Sequence, residues 1–242
     1  MPRMLLTYLG VAALAMAGAS NAHAGTGSLA DTLVAVAPKA NPKVLQLAAR
    51  AAECARTQGL LEEFHHLAVI DYSLPSTKPR LWVFDVDRKK LVFQELVAHG
   101  RNSGDFLRAR HFSNIEGSRM SSIGLYQTAD TYYGSKGYSL RLRGLDPGFN
   151  DNALSRAIVM HGAPYVSEAL VEHLGRLGRS WGCPAVREGV ARGMIDTLKG
   201  GALLFAYYPD SKWLKESPFF RCGAAPARQV IAATHATSDR DG

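Results

Sequence analysis

Most of the usual signatures of metal, nucleotide and nucleic-acid binding are missing from this chain of 242 residues. It has only three cysteines, with no Cys-x-x-Cys pair, no His-Glu-x-x-His motif and no His-x-His cluster, so it offers no zinc scaffold. It also lacks a phosphate-binding loop, a dinucleotide fingerprint, long Lys/Arg runs and alternation of basic with aromatic residues. We therefore expect no metal, no cofactor and no nucleic-acid partner.

The composition is that of an ordinary globular protein. Apolar residues make up 47% of the chain and charged residues 20%, which is enough apolar material for a sizeable core. The net charge of +7 favours anionic partners such as a membrane surface or an anionic cell wall. No internal repeat is visible.

Only the N-terminal stretch has the features of a targeting signal. Arg3 precedes an apolar run from Met4 to Ala17, and Ala22-His23-Ala24 is a small-x-small cleavage site. The pattern predicts a secretory signal peptide over 1–24, whereas the alternative is an uncleaved membrane anchor. We expect an exported protein of the periplasm or cell envelope, without stable membrane insertion after cleavage and of unknown oligomeric state.

The rest of the chain divides into three parts by its patterning. Residues 25–60 predict a loose leader followed by a helix from Pro42, residues 61–222 a main domain, and residues 223–242 a disordered tail. Alternating apolar residues predict strands in HLAVIDYS, PRLWVFDVD, KLVFQELVAHG, SSIGLYQTAD, YSLRLRG, AIVMHG and ALLFAYY. Helical patterning lies at both ends of the chain and around Cys183, and residues 101–120 predict a long polar loop. The fold class expected is mainly β with flanking helices.

An odd number of cysteines in an exported protein has two interpretations. One pairs Cys54 with Cys222 in a disulfide and leaves Cys183 free, and the other keeps three reduced thiols. Spacing alone does not decide between them, because disulfide formation depends on geometry.

The stretch GRSWGCPAV, residues 178–186, favours a catalytic role for its cysteine. Cys183 lies in a turn between Gly182 and Pro184 rather than in an apolar run. A cysteine nucleophile needs a base and donors for an oxyanion, and the backbone N–H groups of Cys183, Gly182 and Trp181 are candidates. If Cys183 opens the following helix, the helix dipole would also stabilise its thiolate.

The expected base is His161, which ends the apolar strand AIVMHG and precedes Gly162. A strand end fixes a side chain rigidly, which suits catalysis. The other seven histidines fall in the signal, at a strand start, beside the polar loop, on a helix or in the tail.

These residues resemble the signature of a known enzyme family. MHGAPYVSEAL followed by GRLGRSWGCPAV is similar to the His-Gly and Ser/Thr-x-Gly-Cys blocks of the L,D-transpeptidases with a YkuD-like fold. SSIGLYQT, with Gly124 and Tyr126, resembles the strand that precedes the active site in that family. YYGSKGYSLRLRGL looks most like the secreted branch, the murein L,D-transpeptidase catalytic domain family. The resemblance covers roughly residues 66–210.

The resemblance implies a fold, a mechanism and a substrate. The fold would be the family's β-sandwich. Cys183 would attack a stem tetrapeptide of peptidoglycan at its diaminopimelate carbonyl, with His161 as base and the Gly162 carbonyl orienting the ring. The terminal D-Ala would leave, and an acceptor amine would resolve the thioester into a cross-link. Residues expected to bind substrate are Ser180, Arg179, Tyr126, Tyr165 and Gly124, with Arg187 a further candidate for stem-peptide carboxylates.

The sequence departs from the family at two positions beside the cysteine. Trp181 stands where many relatives have His, and Ala185 where many have Arg or Asn. With water as the acceptor the enzyme would be an L,D-carboxypeptidase. An activity that links a lipoprotein to the cell wall, or releases it, is a further alternative. Another cell-wall cysteine amidase or peptidase, and a non-catalytic wall-binding module, are the remaining alternatives.

Overall fold

A computed structural model describes residues 27–222, so the predicted signal peptide and the tail over 223–242 lie outside the described residues. The helices are α1 (Leu29–Val36), α2 (Pro42–Thr57), α3 (Glu168–Leu174), α4 (Glu188–Leu198) and α5 (Ser211–Glu216), with a 3-10 turn at Pro218–Phe220. The expectation of a loose leader is wrong for residues 29–36, because Ser28 and Asp31 form a capping box that starts α1 and Leu33 is buried. None of the helices described is long and apolar enough to cross a bilayer.

Eight strands form one mixed sheet. They are β1 (His66–Asp71), β2 (Leu81–Asp85), β3 (Lys90–Glu95), β4 (Gly124–Gly134), β5 (Gly137–Gly144), β6 (Val159–Gly162), β7 (Ala185–Val186) and β8 (Leu203–Tyr207). Their order across the sheet is β3-β2-β1-β8-β4-β5-β6-β7. The β1–β8 and β6–β7 pairs are parallel and the others are antiparallel. The expected class, mainly β with flanking helices, is confirmed.

The two faces of the sheet are covered by different parts of the chain. On one face, Leu67 and Phe205 pack with α1, α2 and the aromatic residues of the C-terminal segment. On the other face, Ile70 and Leu204 pack with α4 through Met194 and Ile195. Burial on both faces explains why the central strands read as continuous apolar runs rather than as strict alternation.

The two ends of the sheet meet, so the sheet is nearly closed. Beyond β3, Ala98 forms an antiparallel bridge with Ala185 of β7, and Gly100 forms a parallel bridge with Ser180. The long segment over 101–122 then lies beside the residues that precede β7, where Ser121 Oγ donates to the Gly182 carbonyl at 3.0 Å. This closure gathers the residues around Cys183 from distant parts of the chain.

A disulfide fastens the C-terminal segment to α2. Cys54 and Cys222 are bridged, with their Cα atoms 5.6 Å apart, and Cys183 is the free cysteine. This is the first of the two arrangements that the odd cysteine count allowed.

Candidate active site

Strands β6 and β7 bring His161 and Cys183 into one region. His161 pairs with Ala185 in the parallel register, and Cys183 stands two residues before Ala185. The N–H of Val159, two residues before His161, donates to Cys183 Sγ at 3.4 Å. The cysteine loop that leads into β7 therefore brings the sulfur against the backbone of β6, two residues before the histidine.

The environment of His161 keeps its ring neutral and oriented. The ring is buried, and Nδ1 lies 2.8 Å from the Gly162 carbonyl oxygen. A carbonyl only accepts, so Nδ1 carries the hydrogen and Nε2 keeps a free lone pair. Burial lowers the pKa of His161, the Gly162 carbonyl raises it in part, and Lys136 lowers it further. At neutral pH the ring is therefore a base rather than a cation.

The thiol of Cys183 is half-buried and bonds to the backbone before β6 and at its start. Its S–H donates to the Ala157 carbonyl at 3.7 Å, and no hydrogen bond joins it to His161 among the described residues. Burial raises the pKa of Cys183, whereas the Val159 N–H, Arg156 and Lys136 lower it in part. The resting state is thus a neutral thiol and a neutral imidazole, the protonation states from which a histidine base takes the proton of a cysteine nucleophile.

Two expectations about the surroundings of Cys183 are wrong. The cysteine does not open a helix, because Pro184 and the short strand β7 separate it from α4, which begins at Glu188. The dipole of that helix therefore does not act at the sulfur. The N–H of Gly182 donates to Ser180 Oγ at 3.1 Å, so this donor is used within the loop and not offered to an oxyanion. The N–H of Cys183, which faces its own sulfur, and that of Trp181 remain as candidates.

Ser180 holds the cysteine loop together, which argues against its expected contact with substrate. Its buried hydroxyl donates to the Cys183 carbonyl at 2.6 Å and accepts from Gly182. Residues 178–182 also have the Gly-x-Ser-x-Gly spacing of a serine nucleophile, which sequence reasoning missed. A serine nucleophile needs an exposed hydroxyl on a strand-to-helix turn, and Ser180 has neither feature.

Two of the aromatic residues singled out from the sequence lie at the candidate site. Trp181 is 68% exposed, and the Arg119 guanidinium stacks on its ring at 4.8 Å from the centroid. Tyr165 is half-buried, and burial together with the nearby sulfur of Cys183 raises the pKa of its phenol to about 12. Both residues can therefore contact a substrate held at Cys183.

Tyr126 and Gly124 do not face the site. The Tyr126 ring is buried, and its hydroxyl donates to the Ser122 carbonyl at 3.0 Å. Gly124 has φ +123°, and a Cβ there would lie 2.6 Å from a carboxylate oxygen of Asp146, so the position serves packing. Both residues belong to the buried part of β4 that pairs with β8, which argues against their expected contact with substrate.

The two arginines proposed for carboxylate binding are occupied. Nη1 of Arg179 donates to the carbonyls of Arg101 and Gly104 at 2.8 and 2.7 Å, and its guanidinium stacks on Phe106. Arg187 forms a bidentate pair with Glu95 at 2.8 and 2.6 Å. They fasten loops and strands, which argues against the expectation that they bind the stem peptide.

Sequence reasoning missed the charged groups that act on Cys183 from a distance. Arg156 lies in the turn before β6, and Lys136 in the turn between β4 and β5; both lower the pKa of the thiol. No pattern in the chain singles them out, because each is remote from Cys183 in sequence.

Comparison with known proteins places the chain in a family. Three similar structures, each 12% identical in sequence, are L,D-transpeptidases. The one from Mycobacterium smegmatis matches over 60% of this chain and 59% of its own with a TM-score of 0.36, and L,D-transpeptidase 3 from Mycobacterium tuberculosis over 60% and 61% with a TM-score of 0.35. The one from Stackebrandtia nassauensis matches over 76% of this chain and 91% of its own with a TM-score of 0.36. This chain spans only about three fifths of the two mycobacterial structures. No curated protein shows significant similarity in sequence. The family model for the L,D-transpeptidase catalytic domain matches residues 36–207, more than half of the chain and including both His161 and Cys183, and the chain therefore belongs to the L,D-transpeptidase catalytic domain family.

Proposed function

We propose that this protein is an exported, cysteine-dependent peptidoglycan L,D-transpeptidase. The proposal rests mainly on one arrangement: a neutral His161 on β6, oriented by the Gly162 carbonyl, and the free thiol of Cys183, which accepts from the Val159 N–H of the same strand. Membership of the family supplies the reaction class and the substrate, a stem tetrapeptide of the cell wall. The catalytic domain is taken as residues 61–222, behind a signal peptide over 1–24 and a short helical segment.

In the first half-reaction Cys183 becomes acylated. Nε2 of His161 accepts the thiol proton, and the thiolate attacks the diaminopimelate carbonyl carbon to form a tetrahedral oxyanion. The backbone N–H of Cys183, with that of Trp181, stabilises the oxyanion. The bond to D-Ala then breaks, and the imidazolium gives its proton to the leaving amine, which leaves a thioester on Cys183.

In the second half-reaction an acceptor resolves the thioester. The amine of a neighbouring stem peptide attacks the thioester carbon while His161 accepts one of its protons. The thiolate then leaves and is reprotonated, which forms a cross-link and restores the enzyme. Water in place of the amine would make the same site an L,D-carboxypeptidase.

Export is supported by the cysteine arrangement as well as by the N-terminal sequence. A disulfide between Cys54 and Cys222 persists in an oxidising compartment. The net charge of +7 suits an anionic cell wall.

The test is incubation with a defined disaccharide-tetrapeptide followed by mass analysis of the products and of the intact protein. We expect cross-linked dimer, free D-Ala and an acyl-protein adduct. Cys183→Ser and His161→Ala should fold as the parent does and lose the products by several orders of magnitude. A shortened monomer as the only product would identify a carboxypeptidase, and equal turnover by Cys183→Ser would refute the assignment of the nucleophile.

A further inference from the structure

Arg156 is a half-buried arginine that binds only neutral groups. Its Nη1 donates to the Ser113 carbonyl and the Ser122 hydroxyl, both at 2.5 Å, and its Nη2 to the Met120 carbonyl at 2.7 Å and the Ser118 hydroxyl at 3.2 Å. Every acceptor lies in the segment over 113–122. None of the ion pairs formed within residues 27–222 includes Arg156. Its charge is therefore left without a carboxylate partner.

Arg156 is connected to the cysteine loop in two ways, through the next residue in the chain and through one of its hydrogen-bond acceptors. The next residue, Ala157, accepts the S–H of Cys183 with its carbonyl and has the left-handed φ of +53°. The Met120 carbonyl, which Arg156 binds, packs against Gly182, where a Cβ would lie 2.7 Å from that oxygen. The guanidinium thus fixes the carbonyl that packs against the residue before Cys183, and the backbone of Arg156 leads directly into the carbonyl that accepts from the sulfur.

The charges of Arg156 and Cys183 also act on each other. Burial lowers the pKa of Arg156, whereas Tyr126 and Cys183 raise it, and Arg156 in turn lowers the pKa of Cys183. Burial raises the pKa of Tyr126 far above the neutral range, so its phenol stays uncharged. The thiolate of Cys183 is then the anion that this cation can stabilise.

The other titratable groups around the sulfur act differently. The phenols of Tyr72 and Tyr165 are neutral, and their pKa values are raised first by burial. Lys136 is exposed, so solvent screens its charge, and it lowers the pKa of His161 as well as that of Cys183. Of the charged groups within residues 27–222 that act on the sulfur, only Arg156 combines a half-buried charge with hydrogen bonds that hold it in place.

We infer that Arg156 is a positioning residue for Cys183: it holds the segment over 113–122 against the cysteine loop and supplies a fixed positive charge that favours the thiolate. The inference rests on the proposed function in that Cys183 is taken as the nucleophile. A permanent cation offsets part of the cost of ionising a half-buried sulfur. It therefore complements His161, which moves the proton.

The test measures the ionisation of the thiol directly. Cys183 is the free cysteine, so the pH dependence of its alkylation by iodoacetamide reports one sulfur. Arg156→Gln, which keeps donors but removes the charge, should raise the thiol pKa by about one unit or more and slow alkylation at neutral pH about tenfold. Arg156→Lys should hold the pKa within about half a unit of the parent, because the charge remains.

Ser118→Ala is the matched control, since it removes one hydrogen bond of Arg156 and keeps the charge. Its thiol pKa should equal that of the parent. The inference is overturned if Arg156→Gln leaves the thiol pKa unchanged, or if Arg156→Lys or Ser118→Ala raises it as much as Arg156→Gln does. Should Arg156→Gln not fold, Arg156→Met, which also removes the charge, is measured in its place, with the same rise in thiol pKa expected and an unchanged pKa overturning the inference. Because alkylation needs no cell-wall substrate, failure of the proposed function would appear separately, as absence of muropeptide products from the parent.

Discussion

His161 shows how burial of one side chain sets the pH range of the proposed chemistry. The folded ring has a pKa below its ordinary value of 6.5, mainly because burial penalises the imidazolium. The ring therefore stays neutral, and able to accept the thiol proton, to a lower pH than an exposed histidine would.

We predict that the acid limb of kcat/KM for a tetrapeptide substrate falls below pH 6.5, the ordinary histidine value. As the pH drops through the lowered pKa, the ring gains a proton and loses its function as base. The measurement is a pH–rate profile, with Lys136→Ala as the comparison. Removal of that positive charge should move the limb toward higher pH, and an acid limb above 6.5 in the parent would contradict the account.

Gly182 is the residue whose backbone most restricts the cysteine loop. Its φ is +127°, and a Cβ would lie 2.7 Å from the Met120 carbonyl oxygen and 3.0 Å from Ile158. Any side chain at this position forces the Met120 backbone or the cysteine loop to shift.

Gly182→Ala should cost about 1–3 kcal/mol of stability from backbone strain and reduce alkylation of Cys183. Gly189→Ala is the matched control, because Gly189 lies in the first turn of α4 with no atom near its Cβ position. That variant should be neutral or gain up to about 1 kcal/mol. The checks are thermal unfolding and thiol labelling, and equal behaviour of the two variants would be evidence against a restricted loop.

At the scale of elements, the segment over 101–122 has no helix or strand of its own and is held by side chains of its neighbours. Arg179 binds two of its carbonyls. The buried Arg80 donates to His99 Nδ1 at 2.9 Å, and His99 Nε2 donates to the Asp105 carbonyl at 2.8 Å. Burial, followed by the charge of Arg80, lowers the pKa of His99 to about 4, which fits a structural rather than a catalytic histidine.

Arg179→Ala should destabilise the protein by about 1–3 kcal/mol and speed amide exchange over 101–110, because two carbonyls lose a charged donor. Its KM for the tetrapeptide should change little. Arg176→Ala is the control, because Arg176 stacks on the same Phe106 ring, 3.9 Å from its centroid. This variant should lose less stability and change amide exchange over 101–110 less than Arg179→Ala does. Hydrogen exchange and kinetics decide, since a large rise in KM with unchanged exchange would restore Arg179 as a substrate-binding residue.

The elements differ in how far the sequence predicts them. Strands β1, β2 and β8 follow from apolar runs, and α4 from its periodic Met194, Ile195 and Leu198. The sequence does not predict which face of β4 carries Tyr126. Both faces of that strand are covered near Tyr126, so its residues do not alternate between apolar and polar and the pattern does not distinguish the faces. The role of Arg156 is invisible for a related reason: its hydrogen-bond partners lie 34 to 43 residues away.

At the scale of the whole molecule, the fold separates a structural half from the candidate site. Cys54, Trp213 and Phe219 belong to the core that α1 and α2 form on one face of the sheet. Val186 and Ile158, which flank the cysteine loop, belong to the core on the other face. The disulfide closes 168 residues of chain, and so constrains the unfolded state of nearly the whole domain, from the face remote from the thiol.

This separation predicts that the bridge contributes to stability and not to the reactivity of Cys183. The double variant Cys54→Ser with Cys222→Ser should lose about 2–5 kcal/mol of unfolding free energy, as expected for a long closed loop. Its alkylation rate at Cys183, measured below the unfolding transition, should match that of the parent. Denaturant unfolding and iodoacetamide labelling of both proteins test the two statements together. An altered thiol pKa in the double variant would contradict this separation. It would mean that the two faces of the sheet are coupled through strands such as β1 and β8, whose residues alternate between the two cores.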